Sequence, residues 1–141
     1  MEDLLHYHYD VDGGNFASAG EASVQVKRVL RQMGFPPDLI RRVSIAMYEG
    51  EINMVIHAKG GDADVYLSPE QIRVVLKDVG PGIKDVALAM QEGYSTAPDN
   101  IRSLGFGAGM GLPNMKRYSD EMTVESTVGV GTTITLVFNA F

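Results

Sequence analysis

The stretch Gly105–Leu112, GFGAGMGL, alternates glycine with other residues and runs directly into a predicted helix over about 110–119. Glycines let backbone N–H groups converge, and a helix start adds the positive end of its dipole, so together they suit a phosphate group. No frame gives the G-x-G-x-x-G fingerprint, and no Gly-Lys-Ser/Thr follows as in a P-loop. A flexible linker is the alternative, but linkers rarely lead into a patterned helix without serine or other polar residues. The stretch therefore predicts a phosphate-binding loop.

Upstream, the segment Glu49–Asn53, EGEIN, falls in the middle of a long helix predicted over 37–58. Glu49 and Asn53 are four residues apart and share a helix face. Glycine and asparagine both cost helix stability relative to alanine, which a fold accepts more readily where the positions are used. The Asn53 amide oxygen suits Mg²⁺, and the Glu49 carboxylate could orient or deprotonate an attacking hydroxyl. A chance pairing of these two residue types on a helix is the alternative.

Two more motifs stand at strand ends. Asp78-Val79-Gly80-Pro81-Gly82 closes an apolar strand predicted over 71–78, where a carboxylate could accept a hydrogen bond from an exocyclic amine such as that of adenine. Its glycines would let the backbone approach a flat ligand closely, although an ordinary turn is the alternative. Gly129–Thr133 begins the final predicted strand. There a tight hairpin is the alternative to a hydroxyl that holds water or phosphate.

The composition bounds the remaining possibilities. The chain has 141 residues, 45% of them hydrophobic and 21% charged, which is typical of one globular domain. The absence of cysteine excludes disulfides, thiolate metal sites and a thiol nucleophile. A net charge of −6 weighs against nucleic-acid binding. The sequence contains no run of eighteen apolar residues, so it predicts no membrane-spanning helix. We expect a soluble cytoplasmic protein. His6 and His8 share a face of a first predicted strand, but the sequence places no third metal ligand nearby.

The four motifs, in this order, resemble those of the GHKL superfamily, the ATP-binding fold shared by gyrase, Hsp90, histidine kinases and MutL. Glu49…Asn53 is similar to its N box, Asp78–Gly82 to its first glycine box, and Gly105–Leu112 to its second. Gly131-Thr132 is similar to its final glycine-threonine element. The resemblance implies a Bergerat-type α/β two-layer sandwich, with a mixed, mostly antiparallel sheet covered by helices on one face. It also implies one domain over residues 1–141 with a lid at about 92–109.

Stretches outside these motifs, at 16–20, 40–43, 90–96 and 111–117, resemble the standalone anti-sigma-factor-like serine/threonine kinases, and most closely the switch kinases of the bacterial stressosome. Histidine kinases carry a helical segment with the acceptor histidine. We expect no such segment before residue 1, and His57 falls within the N-box helix, so we expect a standalone kinase. The resemblance implies phosphorylation of STAS-domain partners in a stress-signalling, partner-switching module, with a downstream output enzyme as a further partner. The alternatives are an anti-sigma factor that sequesters a sigma subunit in a nucleotide-dependent way, and a nucleotide sensor without transfer activity.

Roles follow from the resemblance by position. Glu49 would be the catalytic carboxylate, and Asn53 the protein ligand of Mg²⁺. Asp78 would bind the adenine amino group. A loop insert at 97–103 looks longer than the compact version expected, so lid closure and partner docking are predicted less firmly than the nucleotide site. The spacing does not choose among Arg102, Lys116 and Arg117 as the cation near the phosphates. The implied positions for ATP and Mg²⁺ are Asn53, Asp78, Gly80, Gly82, Gly105, Gly107, Gly109, Met110, Gly111, Leu112 and Thr132.

Overall fold

The computed structural model of the protein describes residues 5–13, 19–83, 90 and 111–140. The predicted lid at 92–109 lies outside these residues. The described elements, in chain order, are β1 (Leu5–Asp12), α1 (Glu21–Gln32), α2 (Pro37–His57), β2 (Gly60–Leu67), β3 (Gln71–Asp78), α3 (Gly111–Tyr118), β4 (Glu121–Thr127) and β5 (Gly131–Asn139).

The strands form one sheet in the order β1-β2-β3-β5-β4. Every described pairing is antiparallel, so the part of the sheet seen here contains no parallel pair. The predicted α/β two-layer class is confirmed. Side chains alternate along each strand, as in a sheet with one covered face and one face open to solvent.

The helices cover one face of this sheet. On α1 the buried residues Ala22, Val26 and Leu30 recur every four positions, which gives the helix a single apolar stripe. α2 packs between α1 and α3. The core between the layers includes Val43 and Met47 of α2, Leu30, Met115 and, from the sheet, Ile72, Val74, Leu136 and Phe138. No described helix is long and apolar enough to cross a membrane.

The structure shifts two predicted boundaries. Apolar residues at helical spacing predict a first helix from Phe16 to Met33. In the structure α1 begins at Glu21, since Gly20 has a φ of 96° and therefore cannot belong to the helix. The sequence predicts that Gly60-Gly61 end the long helix and that the next strand starts at Asp64. In the structure the two glycines instead open β2, four residues before that predicted start. Gly60 has a φ of 84°, and a Cβ there would lie 2.0 Å from the carbonyl oxygen of Val11. Glycine thus allows the chain to leave α2 and pair with β1 at once.

Candidate nucleotide and catalytic site

Glu49 lies on α2 where that helix faces the first turn of α3. Its half-buried carboxylate makes a side-chain hydrogen bond with Asn114, which belongs to that first turn. Burial raises the pKa of Glu49, and the hydrogen bond from Asn114 opposes that rise without cancelling it. A carboxylate with a raised pKa is a stronger base than an ordinary glutamate. Glu49 is therefore held, as a competent base, beside the start of the helix that follows the glycine-rich loop.

Asn114 was not assigned a role from the sequence. It was noted only as part of the stretch 111–117 that resembles the switch kinases. Its position three residues after Gly111 places it in the first turn of α3, but its contact with Glu49 spans 65 positions of chain. A local pattern holds no signal for such a contact.

Glu51, two residues after Glu49, serves the fold. It is 2% exposed, and its carboxylate accepts hydrogen bonds from the backbone N–H groups of Gly20 (2.9 Å), Ala22 (3.2 Å) and Ser23 (3.1 Å) and from the Ser23 hydroxyl (2.7 Å). α1 has no capping side chain of its own, so Glu51 caps it from the neighbouring helix. Residues two apart on a helix point in different directions, so only one of the two carboxylates could face a ligand.

Gly50 lies between these carboxylates and is explained by packing. A Cβ at this position would lie 2.1 Å from Leu76 Cδ1 and 3.2 Å from Met115 Sδ. Both neighbours are buried, so they have little room to move. The mid-helix glycine therefore lets α2 approach β3 and α3 closely, and its helix-propensity cost is offset by that contact rather than by a ligand.

At the end of β3, Asp78 is fixed by the first residues of β5. Its Oδ1 accepts a hydrogen bond from the Thr132 backbone N–H at 2.8 Å. The aspartate is half-buried, and burial raises its pKa while the Thr132 hydrogen bond opposes the rise. No hydrogen bond joins Oδ2 to another described residue. One carboxylate oxygen is thus held by the fold, and the other has no hydrogen-bond partner among the described residues.

The two glycine elements around Asp78 meet in space. The N–H of Gly80 donates to the carbonyl of Val130 at 3.2 Å, and the N–H of Gly129 donates to the carbonyl of Pro81 at 2.8 Å. Gly82 has a φ of 76°, and a Cβ there would lie 2.6 Å from the Thr127 carbonyl oxygen. The turn after β3 therefore lies directly on the β4–β5 hairpin, and glycine is required at position 82.

The Thr132 hydroxyl has a partner within the fold. Its Oγ1 is 2.9 Å from Ser126 Oγ, which also accepts a hydrogen bond from the Ile83 N–H at 2.7 Å. Thr132 itself is buried. Its backbone N–H fixes Asp78 and its hydroxyl joins β5 to β4. Thr132 therefore supports the fold in addition to the nucleotide-site role that the sequence predicts for it.

The remaining predicted positions divide into placed and undescribed ones. Asn53 is half-buried, one turn after Glu49, and its amide makes no hydrogen bond within the described part of the chain. Gly111 opens α3 and Leu112 is buried in its first turn. Lys116 and Arg117 lie in the last turn of α3, at the end opposite the predicted phosphates. Gly105, Gly107, Gly109, Met110 and Arg102 lie outside the described residues.

These positions fit a nucleotide and a metal ion. The Asp78 carboxylate is held in place through Oδ1, and its second oxygen suits an exocyclic amine. Asn53 offers a neutral amide oxygen, and Mg²⁺ commonly takes one or two protein oxygens and completes its shell with water and phosphate. The start of α3 offers backbone N–H groups and the positive end of a helix dipole to an anion.

Comparison with known proteins identifies the family of the chain. The model of the histidine kinase-like ATPase domain matches residues 15–138. The serine/threonine-protein kinase RsbT of Bacillus subtilis is 30% identical over 112 residues, 77% of this chain and 78% of the relative. The anti-sigma F factor of Priestia megaterium is 34% identical over 122 residues, 82% of this chain and 80% of the relative.

A solved structure has a similar fold. It contains the RsbU and RsbW domains of Rv1364c from Mycobacterium tuberculosis and superposes with a TM-score of 0.62 at 18% identity. The match covers 96% of this chain and 32% of that longer chain, and at this identity it informs only on the fold. The family match over residues 15–138 confirms the predicted superfamily. The chain belongs to the family of histidine kinase-like ATPase domains.

Proposed function

We propose that the chain is an ATP-dependent serine/threonine-protein kinase in which Glu49 acts on the acceptor hydroxyl. One observation carries the proposal: a carboxylate of raised pKa is held by Asn114 at the first turn of α3. That turn directly follows the glycine-rich loop that we predict to bind phosphates. A base is thus beside the expected position of the transferred group. The similarity to a relative named as a serine/threonine-protein kinase supports the same activity.

The proposed reaction is a phosphoryl transfer to a partner serine or threonine. ATP, when bound, supplies the γ-phosphoryl group. Glu49 orients the acceptor hydroxyl and accepts its proton as the oxygen bonds to the γ-phosphorus, while the bond to the bridging oxygen breaks and ADP leaves. Asp78 holds the adenine amine through its available oxygen. Such transfers depend mainly on positioning and charge stabilisation, which is consistent with a site that holds few reactive side chains.

We further propose that Asn53 is the protein ligand of Mg²⁺. Its amide has no hydrogen bond within the described residues, and it lies one helical turn from Glu49. The base and the metal ligand would then act from one helix face. Exchanging Asn53 for aspartate adds a negative charge to the metal site, so we expect the Mg²⁺ dependence of transfer to change. An unaltered metal profile would contradict the assignment.

The acceptors in this proposal are STAS-domain proteins of a stress-signalling, partner-switching module such as the stressosome, with an output enzyme further downstream. The proposal rests on the stretches at 16–20, 40–43, 90–96 and 111–117 that resemble the switch kinases. Since the reaction consumes ATP, we propose a cytoplasmic location.

Incubation of the protein with γ-labelled ATP, Mg²⁺ and candidate STAS partners tests the activity. We expect label on a partner serine or threonine, located by mass spectrometry, and none with Glu49→Ala. Glu121→Gln is the matched control, because Glu121 is an exposed glutamate at the opposite end of β4 from Ser126, the partner of Thr132. If no partner becomes labelled, or if Glu49→Ala transfers as well as the native protein, the proposed function is wrong.

An anti-sigma factor is the second candidate, favoured by relatives such as the Priestia megaterium anti-sigma F factor. The same nucleotide site would serve either role, so the partner must decide. Recovery of an RNA-polymerase sigma subunit in a pull-down, rather than a STAS protein, would favour this second function.

A further inference from the structure

The open face of the sheet carries a group of polar side chains that the nucleotide site does not use. His6, His8 and Asp10 project from β1, and Asp62 and Asp64 from β2, on the face opposite the helices. In the antiparallel register His8 is the partner of Asp64, and Asp10 is the partner of Asp62. No third metal ligand lies near the two histidines in sequence, because β1 ends at Asp12 and β2 begins only at Gly60.

Asp64 orients both imidazole rings. Its Oδ1 is 2.8 Å from His8 Nδ1 and 2.7 Å from His6 Nε2. As an acceptor, the carboxylate favours the tautomer in which His8 carries its proton on Nδ1. Histidines that bind metal ions commonly donate their other ring N–H to a carboxylate in this way.

The opposite nitrogen of His8 faces two more carboxylates. His8 Nε2 lies 3.2 Å from Asp10 Oδ1 and 3.3 Å from Asp62 Oδ1, and ligand atoms of the three residues lie within 4.8 Å of one another. With the proton on Nδ1, the Nε2 lone pair and two carboxylate oxygens converge, an arrangement that favours a cation among them.

The separations between these atoms match a metal shell. A tetrahedral zinc ion with bonds of about 2.0–2.1 Å holds its ligand atoms roughly 3.3 Å apart. The two separations measured from His8 Nε2, 3.2 and 3.3 Å, agree with that spacing. One imidazole nitrogen with two carboxylates suits a borderline divalent transition ion, whereas Mg²⁺ and Ca²⁺ prefer shells of oxygen alone.

We propose that His8, Asp10 and Asp62 form a binding site for a zinc-class divalent ion, with Asp64 as the positioning residue for His8. Water completes the shell on the solvent side. The ion would join β1, an edge strand, to β2, so its binding would also stabilise the sheet edge. The site is on the opposite sheet face from Asp78 and is independent of the proposed kinase activity.

Titration of tag-free, chelator-treated protein with Zn²⁺ and with Co²⁺ tests the proposal. We expect one equivalent to bind, visible absorption bands typical of tetrahedral Co²⁺, and a rise in the thermal midpoint with Zn²⁺. Mg²⁺ at the same concentration should not displace Co²⁺. Asp64→Asn should weaken binding by about 10–100-fold, as loss of an orienting carboxylate does, and His8→Gln should weaken it further.

His6→Phe is the matched control. His6 stacks on Tyr66 with ring centroids 4.5 Å apart, and phenylalanine keeps that stacking without a ring nitrogen. We expect the affinity to be unchanged. The proposal would be overturned if binding survives His8→Gln or is lost equally with His6→Phe. It would also be overturned if binding never reaches one equivalent.

Histidine side-chain ¹⁵N spectra of the native protein decide the matter if His8→Gln does not fold. With Zn²⁺ present, the Nε2 signal of His8 should shift as on metal binding, while His6 keeps its signal. A spectrum in which His8 is unaffected would also overturn the proposal.

Discussion

Replacement of Glu51 by alanine removes a carboxylate that is 2% exposed and that accepts four hydrogen bonds at the start of α1. The backbone N–H groups of Gly20, Ala22 and Ser23 lose their acceptor, and so does the Ser23 hydroxyl. None of these groups has a substitute cap, because α1 carries no capping side chain of its own. The variant should therefore destabilise the first helix and its packing on α2.

The expected loss follows from these contacts. Loss of a helix N-cap costs about 1 kcal/mol, and each buried N–H left without an acceptor costs about 1–3 kcal/mol. Two effects offset part of this sum. The variant no longer buries a charge, and water can enter the space left behind and bond the freed N–H groups. We expect the free energy of unfolding to fall by roughly 3–4 kcal/mol, a large part of the 5–15 kcal/mol typical of a domain. The thermal midpoint should fall by about 10–15 °C.

Urea unfolding and thermal melts measure the effect, with Glu49→Ala as the matched control on the same helix. Glu49 has a raised pKa, so its ionised form is disfavoured by folding, and its removal should leave stability at neutral pH unchanged or slightly higher. Glu51→Gln, which keeps one acceptor oxygen, should fall between the two. A loss below about 1 kcal/mol for Glu51→Ala, or an equal loss for Glu49→Ala, would refute the capping role, since even one cap is worth that much.

Three further predictions concern the site. Asn114→Ala removes the hydrogen bond that lowers the pKa of Glu49, so the acid limb of the kcat/KM profile should move to higher pH. The rate should fall by about tenfold or more. An unmoved acid limb would contradict the contact. Asp78→Asn keeps an acceptor for the Thr132 N–H but turns a donor toward the adenine amine. The Kd for ATP, measured by calorimetry, should therefore rise about 10–100-fold with little change in the melting temperature. An unchanged Kd would exclude the adenine contact. Gly50→Ala should lower the free energy of unfolding, measured in urea, by roughly 0.5–2 kcal/mol, because overpacking outweighs the gain in helix propensity. A stabilised variant would show that the contact with Leu76 is not tight.

Local patterns predicted the elements well. Apolar periodicity gave α1 and α2, and the proline pair at 36–37 placed the start of α2 where the structure has it. Alternation and a short turn gave β3 with the observed bounds. The start of β2 was missed, because Gly60 and Gly61 resemble a helix terminator in sequence and their pairing with β1 depends on tertiary contact.

The site was predictable only in part. Asp78 and Thr132 were each singled out, but the hydrogen bond that joins them spans 54 positions and follows from the pairing of β3 with β5. Glu49 and Glu51 are the same residue type in the same short motif, and their different roles are decided by which neighbour each one faces. The contacts of Asn114 and the convergence of His8 with Asp62 likewise depend on register and packing.

We propose above all that Glu49 is the base that accepts the proton of the partner hydroxyl during phosphoryl transfer from ATP. Single-turnover transfer of labelled γ-phosphate to a STAS partner, measured for the native protein and for Glu49→Gln with the Kd for ATP determined in parallel, tests it most directly. We predict that the variant binds ATP as the native protein does and transfers phosphate about 10²–10⁴-fold more slowly, the usual contribution of a general base. Equal transfer rates at equal ATP affinity would contradict the claim.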